Sequence, residues 1–409
     1  MILPFGVLLA AIALMPLLAG KWWSRHYAKV SFALGAVTLG YYLFGLQAHA
    51  RVLDVAHEYV SFIALIGSLF VVSGGIHITV KGESTPLTNV IFLLGGALIA
   101  NVLGTTGASM LLIHPWIRMN KYRITAHHIV FFIFIVSNVG GCLTPIGDPP
   151  LFLGYLQGVP FWWVIEHCWP MWAVGMGILL AMFYVVDRIN FARAPCEVRE
   201  AETARETWKF QGLANLFFLA AIIGAVFIKK PIFLREAIMV AAALGSYFST
   251  AKRIHESNHF NFHPITEVAI LFIGIFATMM PALDWLGQNA DTLLSKNPAP
   301  GLFFWGSGTL SSVLDNAPTY LSFFSALFGG ATADQNSLAQ LHAPLVAISI
   351  ASVFFGANTY IGNGPNFMVK SIADQQKIHT PTFLGYIFKY TLPCMIPTLV
   401  VVWWIFFRR

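Results

Sequence analysis

Charged residues are scarce in this sequence, and their scarcity excludes most soluble proteins. Asp, Glu, Lys and Arg make up 10% of the 409 residues, whereas about 25% is usual. Hydrophobic residues reach 57%, and the mean hydropathy is +0.70. An ordinary soluble enzyme and a disordered, highly charged tail are both excluded, because such chains carry many more charges.

Cysteine is scarce too, and basic residues do not cluster. The cysteines show no C-x-x-C spacing, which excludes a disulfide framework and a zinc site of the usual spacing. The formal net charge of +6 comes from Lys and Arg spread over many loops, so nucleic acid is excluded as a partner. The four cysteines, predicted to be apolar packing residues, are Cys142, Cys168, Cys196 and Cys394.

Long apolar stretches fill the chain from end to end. A transmembrane helix takes roughly 20 apolar residues, so the sequence predicts an all-α polytopic membrane protein. The first stretch, 2–20, has no basic residues before it and therefore predicts a spanning helix rather than a signal peptide. Plain helices are predicted at about 1–20, 30–48, 58–79, 162–186, 212–228, 233–250, 265–283 and 382–407.

Two further kinds of stretch are interrupted by Gly, Pro or Asn. Stretches 88–118 and 302–329 are too long for one crossing and too short for two, which predicts re-entrant hairpins. Stretches 127–158 and 343–374 predict broken helices, because proline removes backbone donors and glycine admits open dihedrals. Each half of the chain thus has three plain helices, one hairpin, one broken helix and one plain helix.

The two halves also match residue by residue. Val102, Leu103 and Gly104 align with Val313, Leu314 and Asp315. At nearly the same offset, Gly141, Thr144, Ile146, Gly147, Pro150 and Phe152 align with Gly356, Thr359, Ile361, Gly362, Pro365 and Phe367. Such self-similarity indicates an internal repeat.

The hairpins and the repeat together predict the topology. A hairpin returns to its own side, so each half crosses an odd number of times, about ten crossings in all, and the two repeats are inverted. The predicted domains are an N-terminal repeat (1–186), a solvated cytoplasmic linker (187–211) and a C-terminal repeat (212–409). Most Lys and Arg fall in the loops of one face, which predicts a cell inner-membrane protein with both termini outside.

Polar residues at the breaks and hairpin tips predict the binding site. Breaks in hydrocarbon leave backbone groups without partners unless protein or a ligand satisfies them. Two intramembrane carboxylates among neutral oxygens suit a small hard cation. The predicted ion- or substrate-binding residues are Asp148, Asp315, Asn316, Asn138, Thr144, Thr105, Thr106, Asn358, Thr359 and Asn363, with Asp148 and Asp315 as sodium ligands.

Other interpretations stay open for several residues. Asp148 could cap the half-helix that starts at Pro149, and Asp315 could cap the second limb of its hairpin. Both roles are compatible with ion binding. Whether further titratable residues take part is left open for Glu267, Lys389 and the i, i+4, i+8 set His255, His259 and His263, whose segment predicts a loop.

Two motifs carry a resemblance to a known family. Asn-Val-Gly-Gly-Cys-Leu-Thr-Pro-Ile-Gly-Asp-Pro-Pro (138–150) resembles the N-A-G-G-x-x-x-P-I-G-D segment of the D-type sodium/proton antiporters. Ser-Ser-Val-Leu-Asp-Asn-Ala-Pro (311–318) resembles their S-x-V-x-D-N-x-x motif. The wider ion transporter superfamily also contains citrate and other carboxylate carriers and arsenite pumps. The resemblance implies a homodimer with a scaffold and a mobile transport domain. In the middle of the first interrupted stretch, Gly104-Thr105-Thr106 stands where the antiporters usually have an Asp-Asn pair.

These observations predict a secondary antiporter that exchanges sodium or lithium for protons, with no organic cofactor and no enzymatic activity. A carboxylate that holds either a proton or a cation makes the two compete, and this competition is an exchange mechanism. The alternative is a cation-coupled citrate or dicarboxylate transporter. The expected partners are the lipid bilayer and small inorganic cations or small carboxylates.

Overall fold

Apolar helices dominate the computed structural model, which describes residues 1–80, 84–193, 208–228, 230–293 and 298–408. Within this described part, seven helical segments are long and apolar enough to cross a membrane. The protein is therefore an all-α polytopic membrane protein. Those segments are Gly20–Gly45, His49–Gly74, Pro86–Met119, Ala126–Leu143, Trp163–Ala192, His263–Gln288 and Phe383–Phe406.

The helices follow the predicted order along the chain. The first group is α1 (Leu3–Leu18), α2 (Gly20–Gly40), α3 (His49–Gly74), α4 (Pro86–Met119), α5 (Ala126–Ile135), α6 (Pro149–Leu156) and α7 (Trp163–Ala192). The second group is α8 (Asn215–Val226), α9 (Leu234–Ser249), α10 (Lys252–Ser257), α11 (His263–Gln288), α12 (Ala290–Leu293), α13 (Pro300–Ser311), α14 (Asn316–Phe328), α15 (Gln335–Gln340), α16 (His342–Phe355), α17 (Gly364–Gln375), α18 (Phe383–Tyr386) and α19 (Ile396–Phe406). Short strands β1 (His77–Thr79) and β2 (Lys209–Gln211) pair antiparallel.

Helix α4 folds back on itself at Gly104. This glycine has φ 74° and ψ 155°, a conformation that L side chains rarely adopt. Asn89 near one end donates from Nδ2 to Asn120 Oδ1 just past the other end, at 2.8 Å. A straight helix would hold these residues about 45 Å apart. The 88–118 stretch therefore reverses its direction at residues 104–106, called the first tip below.

The second interrupted stretch reverses in the same way. Helix α13 ends at Ser311, and α14 begins at Asn316. The rings of Phe303 in α13 and Phe323 in α14 lie 6.2 Å apart between centroids, so the two limbs pack side by side. Residues 312–315 between them form the second tip.

Two helices are open in their middle, where the sequence predicts breaks. The first break, 136–148, separates α5 from α6, and the second break, 356–363, separates α16 from α17. Thr144 has φ −138° and ψ 156°, and Thr359 has φ −142° and ψ 169°. Both residues are thus extended rather than helical. The backbone hydrogen bonds of a helix are missing at these positions and must be replaced.

The last helix of the first half ends later than the sequence predicts. Helix α7 continues through Ala192, and Asp187 is fully buried. The interpretation of Asp187 as a solvated linker residue was wrong, because its carboxylate pairs with Arg123 inside the protein. Most of the remaining linker, residues 194–207 with Cys196, lies outside the described residues.

The close packing at the second break yields a test of the fold. A Cβ added to Gly362 would lie 2.6 Å from the Gly356 carbonyl oxygen and 2.7 Å from the Ser311 carbonyl oxygen. Gly362→Ala should therefore lower the apparent melting temperature of the purified protein, since overpacking typically costs about 1–3 kcal/mol. Gly364→Ala is the matched control, because nothing lies within 4 Å of its added Cβ. Equal melting temperatures for the two variants would contradict this packing.

Candidate functional site

Asp148 is the buried acid of the first break, with 1% of its surface exposed. Its Oδ1 accepts hydrogen bonds from Thr105 Oγ1 at 2.7 Å and from Asn363 Nδ2 at 3.1 Å. Its Oδ2 accepts a hydrogen bond from Asn316 Nδ2. The three donors belong to the first tip, the second break and the start of α14. The fold thus brings four of the predicted site residues together, because three of them donate to the carboxylate of the fourth.

All the hydrogen-bond donors to Asp148 among the described residues are neutral. Neither Lys, Arg nor His contributes to this set. Removing a carboxylate from water without a charged partner is unfavourable by several kcal/mol. The negative charge is balanced when the carboxylate takes up a proton or binds a cation, so this arrangement favours either of those two species.

The capping interpretations have different outcomes for the two acids. Asp148 precedes α6, but its side chain makes no capping hydrogen bond to that helix. Asp315 does cap α14, because its Oδ1 accepts a hydrogen bond from the Ala317 N–H at 3.0 Å. Asp315 is half-buried and near enough to Asp148 for an electrostatic interaction between the carboxylates. Asp148 is therefore the more deeply buried of the two carboxylates.

Two amide oxygens near the second tip lack hydrogen-bond partners within the described chain. These are Oδ1 of Asn316 and Oδ1 of Asn358, both buried. The Nδ2 of Asn316 faces Asp148, and the Nδ2 of Asn358 donates to Ser312 Oγ at 2.9 Å, so the oxygens point elsewhere. Asn316 contacts Asp148 directly, whereas Asn358 contacts the second tip. Neutral amide oxygens are among the ligands that hard cations prefer.

Thr144 and Thr359 attach each break to the neighbouring hairpin. Thr144 Oγ1 donates to the Asn101 carbonyl oxygen and Thr359 Oγ1 to the Ser312 carbonyl oxygen, both at 2.6 Å. Each hydroxyl also accepts a hydrogen bond at 3.1 Å, from the N–H of Gly147 in the first break and from that of Gly362 in the second. These two predicted site residues thus have matching positions and matching structural contacts.

The remaining predicted residues, Asn138 and Thr106, lie at the edge of this group. Asn138 Oδ1 accepts a hydrogen bond from Asn363 Nδ2 at 3.2 Å, so the first and second breaks touch each other directly. Thr106 is half-buried, and no side-chain hydrogen bond involves it within the described ranges.

Two asparagines outside the predicted set hold the breaks open. Asn101 donates from Nδ2 to the Gly140 carbonyl oxygen at 2.7 Å and accepts at Oδ1 from the Leu143 N–H at 2.8 Å. Asn366 donates from Nδ2 to the carbonyl oxygens of Gly356 at 2.8 Å and Thr359 at 2.9 Å. These amides replace the missing helical hydrogen bonds. Asn101 is the lone amide in the apolar run 90–103, whereas Asn366 lies three residues after the predicted site residue Asn363.

The histidine set at 255–263 does not lie on one helix. His255 is in α10, His259 has φ 49°, and His263 begins α11. Glu267 of α11 is half-buried, and its Oε2 lies 3.9 Å from His263 Nδ1. Lys389 has an exposed side chain in the π-helical segment Ile387–Met395.

A different group lies close enough together to hold a metal ion. Over the described ranges, this group consists of His127, His128 and Asp187, none of which was predicted as a site residue.

The amide contacts of Asn366 yield a second prediction. Asn366→Ala removes the donor for two buried carbonyl oxygens, and an unsatisfied buried polar group costs about 1–3 kcal/mol. We expect a lower melting temperature for this variant in detergent. Asn336→Ala, an exposed position on α15, is the control and should melt with the wild type. An unchanged melting temperature for Asn366→Ala would argue against the bridging role.

Comparison with known proteins places the chain among membrane transporters. A family model described as "Putative citrate transport" matches residues 1–407. The chain is 24% identical over 317 residues to a "46 kDa membrane protein" of Mycobacterium leprae, a match that covers 72% of this chain and 71% of that protein. It is 22% identical over 313 residues to an "Uncharacterized transporter" of Mycobacterium tuberculosis, with the same coverage of 72% and 71%.

Proposed function

Since the chain belongs to the citrate-transport family whose model spans it, we propose that this membrane transporter exchanges sodium or lithium ions for protons. The observation that carries the proposal is the Asp148 carboxylate, which is 1% exposed and hydrogen-bonded by neutral side chains. A proton and a sodium ion both neutralise that charge. Each disfavours the other at the same carboxylate, so their competition couples the two flows.

The ligands of the cation come from the same neighbourhood. We assign Asp148 as the charged ligand, with the buried Oδ1 atoms of Asn316 and Asn358 as neutral ligands. Asp315, which caps α14, supplies a second negative charge near this site. The oxygen atoms belong to side chains that match the carboxylate and amide preference of hard cations.

We further propose that residues 1–186 and 212–409 are inverted repeats with about ten crossings and two re-entrant hairpins. The matching hydrogen bonds of Thr144 and Thr359 to the two hairpins support this repeat. Both halves contribute donors to Asp148, and the hairpin-and-break elements of the two halves would expose this carboxylate first to one side and then to the other. The inner-membrane location, the outside termini and the homodimer belong to the same proposal.

A second candidate is a cation-coupled carrier of citrate or a dicarboxylate. The description of the family model favours it. An anionic substrate beside Asp148 would need a bound cation between the two negative charges, because the donors to this carboxylate are neutral. Both candidates therefore require the same cation site and differ in whether an organic anion follows the cation.

Removing the charge of Asp148 tests both candidates. In everted vesicles or proteoliposomes with an imposed proton gradient, sodium or lithium should dissipate the gradient in the wild type, whereas potassium should not. Asp148→Asn should lower this flux at least about tenfold, which corresponds to roughly 1.4 kcal/mol. The control is Asp334→Asn, because Asp334 is exposed and Asn is nearly as good an N-cap.

The outcomes separate the two candidates. Full sodium-dependent proton flux in Asp148→Asn would contradict the exchange mechanism. Uptake of labelled citrate that requires sodium, together with no alkali-cation response in the absence of citrate, would favour the second candidate.

The neutral ligands yield a separate prediction. Asn358→Ala removes a buried amide oxygen without touching the hydrogen bonds of Asp148, so it should raise the half-saturating sodium concentration several-fold, up to about tenfold. The maximal rate should change less. Asn336→Ala again serves as the control. If the sodium dependence of Asn358→Ala equals that of the wild type, this amide oxygen is not a ligand.

A further inference from the structure

A second buried charged cluster lies where the two ends of α4 meet and shares no residue with the Asp148 site. Its centre is Asp187 of α7, which is 0% exposed. Arg123 donates to both carboxylate oxygens through its terminal nitrogens. His127 and His128, in the first turn of α5, place Nε2 at 3.3 Å and 3.0 Å from Asp187 Oδ1. We call these four residues the Asp187 cluster.

Both ring nitrogens of His128 are already engaged. The Thr125 backbone N–H donates to His128 Nδ1 at 3.2 Å, and a backbone N–H can only donate. Nδ1 must therefore be unprotonated, and the proton of a neutral ring lies on Nε2, which is 3.0 Å from Asp187 Oδ1 and 3.4 Å from Arg123 Nη1. The observed hydrogen bonds require a neutral His128.

The same contacts argue against a metal ion here, although His127, His128 and Asp187 have ligand atoms within 4.8 Å of one another. His128 offers no free lone pair, because Nδ1 accepts from Thr125 and Nε2 carries the proton. The Arg123 guanidinium also occupies the carboxylate that a metal would need. The cluster is a closed ion pair with two imidazoles.

His127 differs from His128 in how it would respond to a proton. Its Nδ1 lies 2.6 Å from the Thr125 hydroxyl, and its Nε2 faces Asp187. A hydroxyl oxygen and a carboxylate can both accept, so a doubly protonated His127 keeps both contacts. A doubly protonated His128 would instead place an N–H 3.2 Å from the N–H of Thr125. The Thr125 hydroxyl oxygen lies 3.4 Å from the same Nδ1 but is already in closer contact with His127, at 2.6 Å.

The charges around His128 leave little to compensate a second proton. Asp187 of α7 faces it together with Arg123 of the α4–α5 connection, and the charges of these two side chains cancel. His127 is the titratable neighbour on its own helix, and the rings of Trp116 and Phe183 are the other neighbours. A protonated His128 would therefore place a net positive charge in a site that is 0% exposed.

The consequence falls on the start of α5. Thr125 and His128 form a capping box at the N-terminus of this helix, an arrangement that satisfies backbone donors reciprocally. Helix α5 leads directly into the first break, ten residues later. Loss of the capping box would loosen the segment that positions the break.

We propose that the Asp187 cluster is an acid-sensitive latch, in which a second proton on Nδ1 of His128 breaks its bond to the Thr125 N–H and releases the start of α5. Histidine is the side chain whose protonation ordinarily falls near neutral pH. Because the folded cluster admits only neutral His128, unfolding takes up a proton in acid, and stability falls as pH falls. The latch goes beyond the proposed function, since it does not depend on which ion is carried.

The test uses the full-length protein in detergent or nanodiscs and needs no transport assay. The melting temperature is measured from about pH 8 to about pH 5 for the wild type and for His128→Gln. Glutamine can accept from the Thr125 N–H through Oε1 and donate to Asp187 through Nε2, and it is a favoured residue at this capping position. It takes up no proton. We expect the acid-induced fall in melting temperature to shrink to less than about half in His128→Gln.

Two matched variants decide whether the effect belongs to His128. His127→Gln changes the other imidazole of the cluster, and His49→Gln changes an exposed imidazole at the start of α3. Both should keep the wild-type acid response. An acid response in His128→Gln equal to that of the wild type would overturn the proposal, and so would a loss of the response in His127→Gln alone.

Hydrogen exchange of the wild type keeps the proposal testable if His128→Gln does not fold. After correction for intrinsic rates, amides at the start of α5 should lose protection at least about tenfold between about pH 8 and about pH 5. Amides in the middle of α7 serve as the internal reference and should change less. Equal changes in both segments would overturn the latch.

Discussion

The constraint on which this structure depends is that every backbone polar group inside an apolar protein needs a partner. Two helices stop forming their own hydrogen bonds, at residues 136–148 and 356–363. The missing partners are supplied by side chains from elsewhere, chiefly the amides of Asn101 and Asn366. The hydroxyls of Thr144 and Thr359 in turn attach the two breaks to the two hairpins. An open backbone is thereby held in one geometry.

That geometry places one carboxylate among neutral donors. Asp148 begins α6 but does not cap it, and its oxygens instead accept from Thr105, Asn316 and Asn363. In the alignment of the halves, Thr105 and Asn316 occupy corresponding positions in the two hairpins, and Asp148 and Asn363 occupy corresponding positions in the breaks. The site therefore combines near-symmetric positions with one carboxylate, that of the buried Asp148. Under the proposed function, a proton and a cation compete for this carboxylate.

The Asp187 cluster shows a second solution to burying charge in the same protein. Asp148 has neutral partners, whereas Asp187 has Arg123 as a bidentate partner and two imidazoles beside it. A paired carboxylate has its charge balanced by the protein and leaves none to attract a mobile ion. The difference in partners thus separates a carboxylate suited to ion exchange from one suited to holding the ends of α4, α5 and α7 together.

The class of protein, the order of its main helices and the places where they open can be predicted from the sequence, although α2 begins at Gly20, about ten residues before its predicted start. These features depend on local composition: apolar runs of spanning length, and Gly, Pro and Asn within them. It also singled out Asp148, Asn316 and Asn363, because polar residues in apolar runs stand out without any knowledge of contacts. The folded structure was needed to establish that Asp315 caps a helix, that Asn101 and Asn366 bridge the breaks, and that Asp187 is buried. Asp187 is the clearest case. In the sequence it ends an apolar run and opens a charged segment, yet it lies within α7 and pairs with Arg123, 64 residues earlier. Such pairings arise from packing between distant segments, which local periodicity does not encode.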